Sequence, residues 1–283
     1  MSDEVTATAA TRDGITLRTL RLPATGVPRA HVLLVHGIAE HAGRHRHVAA
    51  RLARAGCETH SYDLRGFGES GGARAYVARW SDHLDDLEDR LGAVRAVAAG
   101  LPVVLDGHSM GGLIALGYVL ADPPRPYPDL LVLSAPAIAA PVAWWKRALA
   151  PVLGRALPRL GIANGLPTGG LSRDPAIEVA YRGDPLNTHS TTARLGMELL
   201  REQDRIAACL ARLDRLPVPT YVLHGSDDAI VPVSASALLE GKRSVTRRVY
   251  PGMRHEMHNE PEGASIIDDT VVWITNAIGT HER

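Results

Sequence analysis

Short strand-like runs alternate with longer helical stretches, and that alternation constrains the fold of this chain more than any other feature. Residues 32–35, 58–62 and 102–105 read as strands, separated by a helical pattern over 44–55 and a charged one over 80–98. Strands this short and this continuous suit a parallel sheet covered on both faces, with the helices as crossovers. A second group follows late in the chain, with strands at 221–223 and 247–250 and a closing amphipathic helix over 268–278. The expected class is α/β, a mostly parallel central sheet flanked by helices. Ligands of such sheets bind beyond the carboxyl ends of the strands, so the chemistry should lie just after each strand.

The alternation breaks down over residues 136–207, where prolines and glycines interrupt amphipathic stretches. Trp144, Trp145, Leu149, Leu153, Leu157 and Leu160 recur there at near-helical spacing. With 283 residues the chain is near the upper size of a single core. The expected organisation is therefore a core of residues 1–135 and 208–283 carrying an inserted, mainly helical cap at 136–207. An ordinary extra core layer is the competing reading of the apolar residues. Two adjacent tryptophans beside a suspected site favour a lid that lines an apolar pocket.

Charge and cysteine usage exclude several classes. The 31 basic and 31 acidic residues cancel, against the basic excess of nucleic-acid binders. Cys57 and Cys209 are too few for a disulfide framework and have no metal or redox spacing around them. The polar, acidic start lacks the features of a secretory signal, and prolines and charges interrupt the best apolar run, at 130–145. A cytoplasmic protein is expected, with peripheral lipid-surface contact open through the cap; nothing in the sequence indicates an oligomeric state.

The strand ending at Leu105 runs into Gly107-His108-Ser109-Met110-Gly111 and then a helical pattern over 112–120. A Gly-x-Ser-x-Gly turn between strand and helix presents a serine hydroxyl in strained geometry at the sheet edge. Such a serine needs a base to take its proton and a carboxylate to orient the base, here in the chain order serine, acid, histidine. Both partners follow late strands: Asp227 and Asp228 in 224–232, and His255 and His258 after 247–250. Spacing does not separate the two aspartates. Asp228 and His255 are the preferred pair, with Asp227 in a turn or capping role. Backbone donors for an oxyanion are expected at Met110, after the nucleophile, and at Ile38 in the loop following 32–35.

Four segments carry a resemblance beyond the elbow: His36-Gly37-Ile38-Ala39-Glu40-His41-Ala42-Gly43-Arg44, Asp63-Leu64-Arg65-Gly66-Phe67-Gly68-Glu69-Ser70, Gly107-His108-Ser109-Met110-Gly111-Gly112, and Tyr250-Pro251-Gly252-Met253-Arg254-His255-Glu256, continuing through Asn259-Glu260-Pro261-Glu262. With them the chain resembles the monoacylglycerol lipase family of the α/β-hydrolase fold, particularly its bacterial members, over most of its length outside the cap. The resemblance implies the triad Ser109, Asp228 and His255 and an oxyanion hole at Ile38 and Met110; no cofactor or metal is expected. It also implies that Glu40, Arg44 and His258 hold the glycerol end of a small lipid ester. A serine relay of this kind works through an acyl-enzyme intermediate. Phe67, Ala39 and His45 depart from the family's usual histidine, glycine and tyrosine at those positions.

Other chemistries fit less well. His255-Glu256-Met257-His258 places its histidines three apart, not the four that a zinc-binding helix needs, and follows a Pro-Gly turn. His41, His45 and His47 lack a defined ligand set and suit a polar helix face. A lysophospholipase or a broad-specificity carboxylesterase uses the same relay, so either is an alternative substrate class. A non-catalytic apolar-ligand binder on the same fold would be marked by a missing triad member, and none is missing.

Overall fold

The computed structural model describes residues 4–139, 141–165, 167 and 169–281. Two N-terminal strands, β1 (Val5–Ala10) and β2 (Thr16–Leu22), form an antiparallel hairpin at one edge of the sheet. Next come β3 (Ala30–Val35), helix α1 (Arg46–Arg54), β4 (Cys57–Tyr62), α2 (Trp80–Ala98), β5 (Val103–His108), α3 (Met110–Val119) and β6 (Leu130–Ser134). An insertion then contains α4 (Trp144–Ala156), β7 (Gly161–Ala163), α5 (Pro175–Gly183), β8 (Ser190–Thr192) and α6 (Ala193–Leu210). The chain closes with β9 (Arg215–Gly225), a short α7 (Ser234–Ala237), β10 (Arg243–Tyr250) and α8 (Gly263–His281).

The central sheet has eight strands in the order β1-β2-β4-β3-β5-β6-β9-β10, parallel from β4 onward. All six residues of β3 and all five of β6 are buried, because helices cover both faces. One apolar layer holds Leu33, Leu105 and Leu133 against α2 and α3; the other holds Val32, Val104 and Val132 against α1 and α8. Alternate residues of each strand thus feed opposite layers, as the pleat requires.

Helix α3 is buried along all ten residues and has no polar face. It lies beneath the insertion, and α6 packs on it. Residue 207, the expected end of the cap, falls inside α6, which continues to Leu210 with Ile206 and Leu210 buried in the α2–α3 layer. Within the insertion α4 crosses α6 closely, since a Cβ on Gly154 would sit 2.7 Å from Met197 Cβ.

Candidate active site

The turn between β5 and α3 puts Ser109 at φ 53°, ψ −117°, a backbone conformation that L residues rarely adopt. Its surroundings hold it there: Ser109 N–H donates to Ser134 O at 2.9 Å, and Ser109 O accepts from Leu113 N and Ala137 N. The flanking glycines are sterically required. A Cβ on Gly107 would meet Gly111 O at 2.5 Å, and one on Gly111 would meet Val35 O at 2.1 Å. Without those close approaches the strand could not turn into the helix so sharply.

Three loops at the carboxyl ends of different strands converge on this hydroxyl. Ser109 Oγ lies 2.9 Å from His255 Nε2, and His255 Nδ1 lies 2.7 Å from Asp228 Oδ2. Asp228 Oδ1 accepts the amides of Ile230 and Val231 at 2.8 and 2.9 Å, which locks the carboxylate in place. Asp227, by contrast, is exposed and accepts from its neighbour Ser226 Oγ. One partner was not anticipated from sequence: fully buried His224 donates from Nε2 to Val231 O at 2.9 Å and lies 3.2 Å from Asp228 Oδ2. Its position four residues before Asp228, at the end of β9, was the available signal.

Burial alone would raise the Asp228 carboxyl, but hydrogen bonds from His224 and His255 outweigh it and hold the group well below the usual carboxylate range. For His255, burial pushes downward and Asp228 pushes upward more strongly, so the imidazole is raised above its ordinary 6.5. A raised folded pKa means that the proton is held to higher pH, and a protonated imidazole cannot act as a base. The acid limb of kcat/KM on a soluble short-chain ester should therefore have its midpoint above 6.5. A midpoint well below 6.5 would show that His255 is not the titrating base.

The loop after β3 lies directly against the serine: a Cβ on Gly37 would come within 3.0 Å of Ser109 Cβ. His36 fastens this loop, with Nε2 accepting from Leu64 N at 2.8 Å and Nδ1 donating to Gly37 O at 2.7 Å. Among the described residues the Ile38 amide meets no protein acceptor. The Met110 amide opens α3, where first-turn donors have no intrahelical acceptor. Both amides are thus free to bind an anion.

Glu40 and Arg44 line the same cleft, together with His108, Leu171, Tyr181 and Glu256. Neither is isolated. Glu40 Oε1 accepts Gly37 N at 2.6 Å, Arg44 donates to Glu40 Oε2 at 2.9 Å, and Arg44 forks onto Glu256 at 2.6 and 2.8 Å. Burial works against charge here, yet His45 and Arg44 keep the Glu40 carboxyl well below its usual range. The Arg44 guanidinium also stacks 4.9 Å from the Tyr181 ring, whose hydroxyl donates to Ala39 O at 3.1 Å. Glu256 and Tyr181 are site residues that sequence reasoning missed; Glu256 stood next to His255, whereas Tyr181 comes from the insertion and had no local signal.

His258 differs from its expected placement. It does not line the cleft: its ring packs one layer back, 4.8 Å from His45 and 5.1 Å from His108, beside a second small cavity that also meets Asp106. The tight 3₁₀ turn over Met257–Asn259 aims it towards α1, and His47 bonds its carbonyl at 3.1 Å. The three early histidines also diverge, with His41 on Asp184, His45 on Glu40 and His47 on His258 O.

The departures from the family pattern have local explanations. Ala39 sits at φ 66°, where glycine is favoured. Phe67 is fully buried, edge-on to His36 beneath the early loop, and His45 pairs with Glu40.

A family model described as serine aminopeptidase, S33 matches residues 26–262. The monoacylglycerol lipase of Mycolicibacterium smegmatis is 38% identical over 258 residues, covering 88% of this chain and 89% of that protein. The chain belongs to the monoacylglycerol lipase family of α/β-hydrolases. Human monoglyceride lipase is 29% identical, covering 90% of this chain and 86% of its own length. Among solved structures, the monoacylglycerol lipase of Paleococcus ferrophilus superposes with a TM-score of 0.81 at 29% identity, covering 92% of this chain and 99% of that one. The family's α/β-hydrolase fold is the one described above, down to the strand-turn-helix at Ser109.

Proposed function

We propose that this protein hydrolyses the ester bond of monoacylglycerols, releasing glycerol and fatty acid through an acyl-enzyme on Ser109. The observation that carries the assignment is the continuous relay Ser109–His255–Asp228 in a cleft lined by Glu40 and Arg44. In this mechanism His255 takes the serine proton as Oγ attacks the ester carbonyl, and Asp228 stabilises the imidazolium. The amides of Ile38 and Met110 hold the oxyanion, each contributing on the order of a hundred- to a thousandfold in rate. His255 then protonates the departing glycerol oxygen, and water activated by the same imidazole releases the fatty acid.

Glu40 and Arg44 offer an acceptor and donors to a diol. His258, one layer back, supports His45 and His108 instead of touching glycerol. The names and substrates of the relatives favour the same ester: the M. smegmatis and human proteins are named for it, and the 38% identical sequence spans both the elbow and the early loop. Initial rates on monoacylglycerols of graded chain length, compared with lysophosphatidylcholine, triacylglycerol and p-nitrophenyl esters, test the assignment. Monoacylglycerol should lead; a lysophospholipid or a simple ester ahead by a wide margin would replace it with lysophospholipase or carboxylesterase.

The cleft above Ser109 is about 30 Å³, room for a water or two but not for an acyl chain. Leu171 and Tyr181, both on the insertion, line this cleft, and an insertion at 136–207 that moves as a lid would open it to an acyl chain. No helix among the described residues is long and apolar enough to cross a membrane. On α4, however, Trp144 is 82% and Trp145 49% exposed, with Leu149 and Val152 exposed beside them and Lys146 and Arg147 adjacent. An apolar strip with basic neighbours suits shallow insertion into a lipid surface. Changing Trp144 and Trp145 together to glutamate should cut the rate on vesicle-borne long-chain monoacylglycerol by ~10-fold while leaving a soluble short-chain ester within ~2-fold. Equal losses on both substrates would remove the lipid-surface role.

A further inference from the structure

A cluster of metal-competent side chains lies at the opposite end of the sheet from Ser109. His31 is the second residue of β3, four residues before Val35, or about 13 Å of strand from the loop that meets the serine. Parallel pairing sets His31 beside Glu58 and Leu33 beside His60. Because Glu58 and His60 are two apart on β4, they share one face of the sheet with each other, and His31 joins them from the neighbouring strand.

The three side chains meet at ligand spacing. His31 Nδ1 is 3.0 Å from His60 Nε2, and Glu58 Oε1 is 3.8 Å from the first and 3.5 Å from the second. Ligands at 2.0–2.1 Å from a tetrahedral zinc ion stand roughly 3.3 Å apart, so these gaps bracket the value and a small ring rotation would bring all three onto one ion. All three side chains are shielded from water: Glu58 is 6% exposed, His31 5% and His60 13%. Burial pushes His60 down to about 4 and lowers His31 too, so both rings are neutral at pH 7. A hydrogen bond joins His31 Nδ1 to His60 Nε2, so one of these nitrogens carries a proton, and binding an ion here shifts that proton to the ring's other nitrogen. Arg21 Nε donates to Glu58 Oε1 at 2.7 Å, which orients the carboxylate as a supporting hydrogen bond does at metal sites.

We propose that His31, Glu58 and His60 form a binding site for a zinc-class divalent transition ion that clamps β3 to β4, separate from the hydrolytic site. Two imidazoles and one carboxylate suit zinc or its softer neighbours and discriminate against magnesium and calcium, which prefer all-oxygen cages. Three protein ligands leave a fourth position for water. An ion here would tie adjacent strands together, so its effect should appear in stability and not in the ester reaction.

The test is calorimetric titration of zinc into the metal-free full-length protein, alongside Glu58→Gln and His60→Gln. The native chain should bind one equivalent and gain thermal stability with added zinc. Each variant should lose ~10- to 100-fold or more in affinity and lose the zinc-dependent rise in Tm, with ester hydrolysis within ~2-fold of native. Native protein that takes up no zinc, or variants that bind it as tightly as native, would overturn the proposal; the latter outcome would place the ion among the chain's other histidines. Should a variant misfold by circular dichroism, visible absorption of cobalt(II) added to the native chain decides: tetrahedral bands support the site, and their absence refutes it.

Discussion

Ser109→Ala should lower kcat on monoacylglycerol by about 10⁶-fold while leaving the fold intact, because the nucleophile of such a relay contributes as a unit with its base. The relay is continuous from Ser109 Oγ through His255 to Asp228, so removing Oγ leaves His255 nothing to deprotonate except water. Folding should not suffer. Alanine retains the Cβ and the backbone bonds to Ser134, Leu113 and Ala137, although φ 53° remains as unfavourable for alanine as for serine. The measurement is steady-state hydrolysis together with labelling by a fluorophosphonate probe. Native protein should label and the variant should not; a variant that keeps more than about a thousandth of native activity would move the nucleophile elsewhere.

Asp228→Asn should cost about 10⁴-fold in kcat, since an amide at this position favours the wrong imidazole tautomer and no longer stabilises the imidazolium. The neighbouring change Asp227→Asn is the control. Asp227 is exposed and its carboxylate accepts from Ser226, so its replacement should shift the rate by less than about 0.5 kcal/mol, roughly 2-fold. Parallel kcat measurements on the two variants separate the adjacent aspartates, and comparable losses would reopen the choice. The His255 acid limb should also move to lower pH in Asp228→Asn. Burial would then act on the imidazole without the opposing carboxylate.

Much of the sheet was legible because its central strands are continuous apolar runs bounded by turns, and α2 was read at its observed limits, Trp80–Ala98. Strand β9 was recovered only over 221–223, although it runs Arg215–Gly225. Pro217 and Pro219 lack amide donors and lower the strand signal. In the fold they fall before the stretch that pairs with β6, which begins at Thr220, and where the register against β10 is irregular. The β1–β2 hairpin was missed for a different reason: β1 alternates Val5, Ala7 and Ala9 with threonines, but these small apolar residues are largely exposed and give a weak signal, although Asp13-Gly14 was an available turn signal.

What the sequence by itself determined is the chemistry available at each strand end. A serine between glycines, an aspartate pair and a histidine follow strands in a fixed order, and each requirement is local enough to read from a few residues. Tertiary structure decided which of these groups meet. Choosing Asp228 over Asp227 by contact depends on a hydrogen bond across 27 residues, and bringing Tyr181 onto Arg44 depends on how the insertion folds back over the early loop. It also turned His258 away from the cleft and set His31 beside Glu58 and His60 through strand pairing. Such contacts are fixed by packing between segments distant in the chain, and no local propensity encodes them.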